Sequence, residues 1–277
     1  MSISPVLNGA ASASASGRPR DKSCLLKVME DHLRRLAVDR SQPVLVIGGA
    51  EEDLEVLSRL GFRDVVLSNL GTGKLSIDAE EIQLPDDSYS IVFAHAVLHH
   101  CRCPQLALGE MVRVARNHVF FLEPSDSWAL RILVDMGFSF PYELAAVSDN
   151  GYTQGGMRNG PVPNYIYRWT RRSAIHAVSS YLPERRFLVL PFTYWDFYLN
   201  ESDLLAKRES RVAALAKTIG PSNFVGILRF AQAVLNRLRP LRSQGNKFFC
   251  AISKQGLQPW IELHEGEYRL NSEYLKE

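Results

Sequence analysis

The chain has 277 residues, 46% of them hydrophobic and 22% charged, and a formal net charge of +2. This is the composition of a globular protein long enough to bury a substantial core, and no stretch approaches the roughly 18 apolar residues of a membrane span. Because the 32 basic and 30 acidic residues nearly balance and are spread along the chain, the charge gives no reason to expect a nucleic-acid partner.

The N-terminal segment 1–21 contains the alternation "ASASAS" but no apolar core of signal-peptide length. We therefore expect a disordered leader there. The cysteines have neither paired zinc-ribbon spacing nor the pattern of a secreted disulfide framework. They are Cys24, Cys101, Cys103 and Cys250. We expect reduced thiols in a cytoplasmic protein.

The segment from Cys24 to Leu36 has apolar residues at helical spacing, which predicts a first helix. The stretch "PVLVIGG" then predicts a buried strand, since it is short, β-branched and closed by glycine. A helix with one apolar face is expected next, ending near Gly61. The stretch "DVVLSN" predicts a second strand.

Short apolar strands and helices continue to alternate up to residue 124. A strand is expected around Ile91 to Ala94, an amphipathic helix at "PQLALGEMVRVAR" and a further buried strand at "HVFFLEP". This alternation is typical of a parallel α/β sheet, whose ligands bind beyond the carboxyl ends of the strands.

Beyond residue 125 the pattern is less regular. A helix around Trp128 to Met136 precedes the loop "SDNGYTQGGMRNGPVPNYIYRWT", which is longer than most connections and is therefore interpreted as functional. A helix at "TRRSAIHAVSSYL", a strand at "RRFLVLPFTYWDFYL", helices within 202–238 and a last strand at "NKFFCAIS" complete the prediction.

The span from Val44 to Pro124 carries a family resemblance, and its strongest part is the run from Asp78 to Pro124. This run reads "DAEEIQLPDDSYSIVFAHAVLHHCRCPQLALGEMVRVARNHVFFLEP" and resembles the core of class I S-adenosylmethionine-dependent methyltransferases, with that family's D-A-E-x-L-P run, V-L-H-H segment, helix ending R-V and strand ending E-P. The resemblance implies S-adenosylmethionine as cofactor. It implies an α/β fold with a doubly wound, mostly parallel seven-stranded sheet, helices on both faces and an elaborated, substrate-covering C-terminal region.

The domain division follows from this resemblance. We expect a methyltransferase domain over 22–255, made of a cofactor half, 22–125, and a lid and sheet-completing half, 126–255. The segment 256–277 is interpreted as a tail.

The resemblance also implies where the cofactor binds. It places the methionine part against the glycine turn, the ribose at the end of the second strand, the adenine near the D-A-E run and the sulfonium after the next strand. The residues concerned are Gly48, Gly49, Ala50, Asn69, Leu70, Asp78, Ala79, Glu80, His95 and Ala96. A glycine turn lets backbone N–H groups approach a ligand, and a carboxylate at a strand end can accept from an amine.

Several anchor positions differ from the family's pattern. Val46 replaces an acid, and Ala50 replaces a glycine. Asn69 replaces the ribose acid, and Ser90 replaces the last acid of the D-x-S-F-D run. Asp78 keeps the family's acidic anchor.

Two interpretations of these differences stay open. In the first, the cofactor site is a variant in which Glu51 or Glu52 contacts the ribose. In the second, the chain is a catalytically inactive methyltransferase-like scaffold or partner subunit. Dinucleotide oxidoreduction is not supported, because the complete G-x-G-x-x-G fingerprint is absent.

His95, His99 and His100 are the candidate catalytic residues, because they follow the strand around Ile91 and imidazoles exchange protons near neutral pH. The alternative is that these histidines pack or cap a helix. The "HHCRC" segment lacks the ligand spacing that closes a tetrahedral zinc site, so we expect no metal.

Candidate acceptor-binding residues come from a strand end, the long loop and a later strand. They are Glu123, Tyr142, Asn164, Tyr165 and Tyr194, with the alternative that the aromatic residues are simply core. We expect methyl transfer to a small-molecule acceptor, most often an oxygen, with no nucleic-acid partner and no membrane span.

Overall fold

A computed structural model describes residues 23–71, 75–197 and 211–274. The expected leader, 1–21, lies outside these residues, as does part of the predicted helical region 202–238. Within the described part of the chain, the helices are all too short or too polar to cross a bilayer. Cys101, Cys103 and Cys250 are free thiols.

The strands lie close to their predicted positions. Their bounds are β1 Val44–Ile47, β2 Val65–Leu67, β3 Tyr89–His95, β4 Ala115–Pro124, β5 Arg185–Tyr194, β6 Lys247–Leu257, β7 Ile261–His264 and β8 Glu267–Leu270. The predictions for β1 to β6 are confirmed, whereas the hairpin of β7 and β8 was not predicted.

The predicted helices are present in the described residues, whereas the short helices at 144–148 and 239–242 were not predicted. Their bounds are α1 Ser23–Arg35, α2 Glu51–Arg59, α3 Pro104–Val114, α4 Trp128–Asp135, α5 Leu144–Ser148, α6 Arg171–Tyr181, α7 Arg211–Ile219, α8 Pro221–Arg237 and α9 Arg239–Arg242. Short 3-10 helices cover Leu98–His100 and Met157–Asn159. Proline begins α3, where its missing N–H and fixed φ suit the first turn.

The main sheet has the strand order β2-β1-β3-β4-β6-β5. Pairing is parallel from β2 through β1 and β3 to β4, and β6 runs antiparallel to both β4 and β5. The chain leaves β1 toward β2 on one side and returns as β3 on the other side. The sheet therefore has its topological switch point between β1 and β3, where α/β proteins bind ligands.

The predicted number of strands is wrong by one. The described residues form six strands in the main sheet rather than seven. Between β2 and β3, the described residues contribute only an isolated bridge between Asp78 and Glu81. This connection is short and rich in acids, so it lacks the run of apolar residues that a further buried strand requires.

Apolar clusters cover both faces of the sheet, as expected for helices on both sides. Leu45 and Ile47 of β1 pack into the cluster that contains α3 and α6. Val44 and Val46 face the opposite cluster, which contains α1 and α2. Because side chains alternate along a strand, β1 is buried on both faces and anchors the turn that follows it.

Candidate functional site

A cavity of about 210 Å³ lies at the carboxyl ends of β1 and β3, at the switch point of the sheet. Seven of the predicted cofactor residues line it, namely Gly48, Asn69, Leu70, Asp78, Ala79, Glu80 and Ala96. His100 lines it as well. The structure therefore brings together residues from β1, β2, β3 and the D-A-E run.

The glycine turn contributes less to the cavity than predicted. Gly48 has a φ of +62°, and a Cβ there would lie 2.4 Å from Val97 Cγ2, so the turn needs glycine. The Gly49 amide donates to the carbonyl of Ser68, at 2.8 Å. The Ala50 amide donates to Asp53 Oδ2, at 2.9 Å. Gly49 and Ala50 therefore use their N–H groups within the protein and do not line the cavity.

The three acids at the start of α2 differ in burial. Glu51 and Glu52 are exposed and are not among the described residues that line the cavity, so their contact with a cofactor stays a prediction. Asp53 is buried and its Oδ1 lies 2.8 Å from Nδ1 of His95. Asp53 was not predicted as a site residue. Its position in the first turn of a helix that follows a glycine turn could have indicated it.

Asp78 has partners of its own at the end of the cavity where the adenine is expected. Its Oδ1 accepts from the Glu80 amide at 3.0 Å, and its Oδ2 forms an ion pair with Arg158. The Glu80 carboxylate accepts from the Cys103 amide at 2.8 Å. Since each carboxylate oxygen has a second lone pair, Asp78 can still accept from an amine.

The long loop forms one wall of the same cavity. Gly155, Gly156, Arg158 and Asn159 line it, and Asn159 Nδ2 donates to the Leu70 carbonyl at 3.3 Å. Arg158 has a φ of +50°, in the left-handed region. The loop was predicted to be functional from its length alone. Its contacts with the cavity depend on tertiary structure and could not be predicted.

A second group of polar side chains surrounds Glu123 at the end of β4. Glu123 is 1% exposed, and its Oε1 accepts from the amides of Val97 and Leu98, at 2.8 and 2.7 Å. Its Oε2 lies 2.5 Å from Nδ1 of His99. Glu123 therefore fixes the 3-10 turn after β3 and orients His99.

Glu143 and Asn164, from the second half of the chain, complete this group. Glu143 Oε2 lies 3.2 Å from Nε2 of His99 and 3.4 Å from Nε2 of His100. Asn164 Nδ2 donates to the His99 carbonyl at 3.1 Å and to Glu143 Oε2 at 3.4 Å. Glu143 was not predicted, because nothing local in the sequence marks it as a partner of His99.

The charges in this group are strongly coupled. Burial disfavours the charged form of His99, but the charges and hydrogen bonds of Glu123 and Glu143 outweigh it and raise its pKa to about 9. Burial also opposes ionisation of Glu143, yet the hydrogen bond and charge of His99 lower its pKa to about 2. Burial and the charge of His99 lower the pKa of His100.

The predicted aromatic residues lie in different places. Tyr142 and Tyr165 pair as an isolated bridge, with ring centroids 5.5 Å apart, and are about half exposed. Tyr194 is buried in the apolar cluster that contains the inner face of α1. Tyr194 is therefore not among the cavity-lining residues, and its predicted contact with the acceptor has no support from this geometry.

Comparison with known proteins identifies the domain. Residues 32–122 match the family described as "Methyltransferase domain". The match covers about a third of the chain and supports the sequence resemblance to class I S-adenosylmethionine-dependent methyltransferases over this segment. It spans β1 to β4 and contains the described cavity residues from the first half of the chain. No curated protein matches the chain significantly.

Solved structures resemble the chain at low identity. A SAM dependent methyltransferase from Archaeoglobus fulgidus is 16% identical, and the alignment covers 83% of this chain and 94% of that one with a TM-score of 0.39. The YcgJ protein from Bacillus subtilis is 13% identical, with 85% and 98% covered and a TM-score of 0.42. Identities and TM-scores this low carry no information about the substrate.

The cavity residues fit S-adenosylmethionine as a ligand. Asp78 can accept from an exocyclic amine, and the Asn69 amide can bond a hydroxyl. Gly48 lets the backbone approach a ligand without a Cβ. Gly48 and Ala96 lie at opposite sides of the switch point, at the ends of β1 and β3.

Proposed function

We propose that the chain transfers the methyl group of S-adenosylmethionine to an oxygen atom of a small-molecule acceptor. The observation that carries this proposal is that one cavity joins Asp78, from the D-A-E run, to His100, beside the Glu123 and Glu143 carboxylates. The first end suits an adenosyl group, and the second suits a polar acceptor. The cofactor, when bound, supplies an electrophilic methyl group.

The chain's own residues would bind and orient the two reactants. Asp78 would accept from the adenine amine and Asn69 would bond the ribose, while the backbone at Gly48 and Ala96 borders the methyl-transfer position. Alignment supplies most of the catalysis in a displacement at carbon, and a base is needed only when the acceptor must lose a proton.

The three candidate histidines would differ in role. His99 carries a proton between two carboxylates, so it cannot accept another. His95 is oriented by Asp53 through its Nδ1. His100 lines the cavity, and its lowered pKa keeps it uncharged. The pair of His100 and Glu143 is therefore the proton acceptor that we propose for an acceptor hydroxyl.

The long loop suggests a small acceptor. Gly156 and Arg158 lie against the same cavity as Asp78, so this wall restricts access to it. A macromolecular acceptor would need an open groove or a basic surface. A concave site with convergent polar groups is typical of small-molecule binding.

A second candidate function is a catalytically inactive scaffold or partner subunit. The hydrogen bonds of the Gly49 and Ala50 amides and the ion pair of Asp78 with Arg158 favour it, since these groups are already used within the protein. A protein of this kind would keep the fold without the activity.

A turnover assay separates the two functions. The full chain is incubated with S-adenosylmethionine and a set of phenols, alcohols and amines, and formation of S-adenosylhomocysteine is measured with and without each acceptor. We expect acceptor-dependent product with hydroxylated compounds, reduced at least tenfold in His100→Asn. Product formation that does not depend on any acceptor or on His100 would contradict the proposal.

A further inference from the structure

Three side chains from distant parts of the sequence converge beside the cavity. His99 and His100 follow β3, and Glu143 directly precedes α5. Nε2 of His99 and Nε2 of His100 lie 3.2 and 3.4 Å from the same oxygen of Glu143. A potential ligand atom from each residue lies within 4.8 Å of the other two.

The contacts of the other ring nitrogens determine how the imidazoles face Glu143. Nδ1 of His99 lies 2.5 Å from Glu123 Oε2, and Nδ1 of His100 lies 3.3 Å from the Gly156 carbonyl. Because both partners are acceptors, each Nδ1 carries a hydrogen, so Nε2 is the ring nitrogen that faces Glu143 in both histidines. In the metal-free chain Nε2 of the protonated His99 holds a proton against Glu143 Oε2, and a bound cation would take the place of that proton, which leaves to solvent.

The spacing matches the coordination of zinc. Ligands about 2.0–2.1 Å from a tetrahedral metal ion lie about 3.3 Å from one another. The two measured separations are 3.2 and 3.4 Å. We propose that His99, His100 and Glu143 bind one divalent metal ion of the zinc class, through Nε2, Nε2 and Oε2. Two imidazoles and a carboxylate are a donor set that Zn²⁺ uses, and three protein ligands leave a fourth position open.

The surrounding residues support these ligands. Glu123 accepts from Nδ1 of His99, the carboxylate–histidine arrangement that orients zinc ligands. Asn164 Nδ2 donates to Glu143 Oε2 at 3.4 Å. Asn164 is fully buried, and its Oδ1 has no hydrogen-bond partner among the described residues. A water molecule on the metal would be a suitable donor for this oxygen.

This site differs from the zinc site that the sequence analysis rejected. The thiol of Cys101 donates to the Val97 carbonyl, and that of Cys103 donates to Gln105. The cysteines of "HHCRC" are therefore not ligands. The missing ligand is Glu143, from the other half of the chain.

The metal also has a consequence for the acceptor, and this part rests on the proposed function. Since His100 lines the cavity, the open coordination position adjoins the space for the acceptor. A metal-bound hydroxyl is more acidic than a free one. In the metal-bound chain an acceptor oxygen at this position would lose its proton to solvent, so the role of His100 as a base applies to the metal-free chain and its role as a ligand to the metal-bound one.

Metal binding is tested on the full chain without S-adenosylmethionine. The purified protein, free of any histidine tag, is dialysed against a chelator and titrated with Zn²⁺ in competition with a chromophoric indicator. We expect one ion per chain. We expect Glu143→Gln and His100→Ala to weaken binding at least tenfold, because each removes a ligand. The matched controls His176→Ala and His264→Ala remove exposed histidines and leave the affinity unchanged.

Co²⁺ provides a second measurement of the same site. Tetrahedral coordination by nitrogen and oxygen gives visible absorption, which we expect in the unmodified chain and in His176→Ala and expect to lose in Glu143→Gln. Circular dichroism in chelator checks that each variant keeps its fold. Absence of stoichiometric Zn²⁺ binding overturns the proposal, as does equal affinity in Glu143→Gln and the unmodified chain. Neither result would bear on methyl transfer, because the cofactor is not present.

Discussion

Two ion pairs at and beside the cavity differ in how far they are buried. The side chains of Asp78 and Arg158, which line the cavity, are 21% and 41% exposed. The side chains of Glu123 and His99, which lie beside the lining residue His100, are 0% and 5% exposed. Exposed pairs contribute about 0–1 kcal/mol, whereas breaking a buried pair costs about 3–5 kcal/mol. A ligand can therefore displace the first pair, while the second forms part of the folded structure.

This difference in burial separates contacts that a ligand can replace from contacts that stay fixed. The loop residue Arg158 can exchange Asp78 for a ligand group at little cost. The Glu123 carboxylate cannot be rearranged so easily, because one oxygen accepts from the Val97 and Leu98 amides and the other contacts His99. Residues that must orient reactants are best held by such fixed contacts.

The largest effect is expected from Glu123→Ala. This change leaves His99 as a buried charge without its main partner and leaves the amides of Val97 and Leu98 without their acceptor. We expect the free energy of unfolding to fall by about 3–5 kcal/mol. Urea unfolding followed by circular dichroism measures the loss.

The control for this variant is Glu55→Ala, which removes an exposed carboxylate 3.6 Å from Arg59. We expect a change of less than about 1 kcal/mol. If the two variants lost similar stability, the contacts of Glu123 would contribute no more to the free energy of unfolding than an exposed ion pair does.

The next effect is a pH dependence of stability in the metal-free protein. The pKa of His99 is about 9 in the folded chain against an ordinary value of 6.5. A raised pKa stabilises the folded state fully below the unfolded value, and the gain is lost as pH rises from 6.5 through 9. The difference corresponds to about 3 kcal/mol.

Urea unfolding in chelator at several pH values between 6 and 10 measures this loss. His99→Gln is the control, because it cannot be protonated there and is expected to show a weaker pH dependence. Stability that stays constant or rises over this range in the unmodified chain would show that His99 is uncharged.

A smaller effect is expected from Asp78→Ala. This change removes the acceptor proposed for the adenine amine, and a hydrogen bond of this kind corresponds to about tenfold in affinity. We expect S-adenosylhomocysteine to bind about tenfold more weakly, with little change in the free energy of unfolding. Calorimetric titration measures the affinity, and an unchanged value would show that Asp78 does not contact the cofactor.

The smallest effect is expected from Arg158→Ala. Since the exposed pair competes with the ligand for Asp78, its removal is expected to leave affinity unchanged or raise it by up to about fivefold. The same titration compares it with Asp78→Ala. If Arg158→Ala lost as much affinity as Asp78→Ala, Arg158 itself would bind the ligand, and its ion pair with Asp78 would not be one that the ligand simply displaces.

The sequence was sufficient for the residues whose position follows from local pattern. The glycine after β1 and the acid of the D-A-E run both line the cavity, because strand ends in a parallel sheet meet at one edge. The main elements were predicted because apolar periodicity specifies them directly. The sheet was overestimated by one strand, since the family resemblance outweighed the short acidic connection around Asp78.

Contacts made by the long loop could not be predicted. Glu143 meets His99, and Arg158 meets Asp78, only because the chain folds back over the sheet. No periodicity marks such pairs, since their separation in sequence is large. Tyr194 shows the opposite failure, because an aromatic residue in a strand can face the core or a ligand, and here it faces the core.

The proposed function depends most on whether the cavity binds the cofactor. Calorimetric titration of the full chain with S-adenosylhomocysteine, repeated with S-adenosylmethionine, tests this directly, and thermal unfolding with the same ligands provides an independent reading. We expect one ligand to bind per chain and each ligand to raise the unfolding temperature. No heat of binding and no shift in unfolding temperature at millimolar ligand would contradict it and would favour the scaffold.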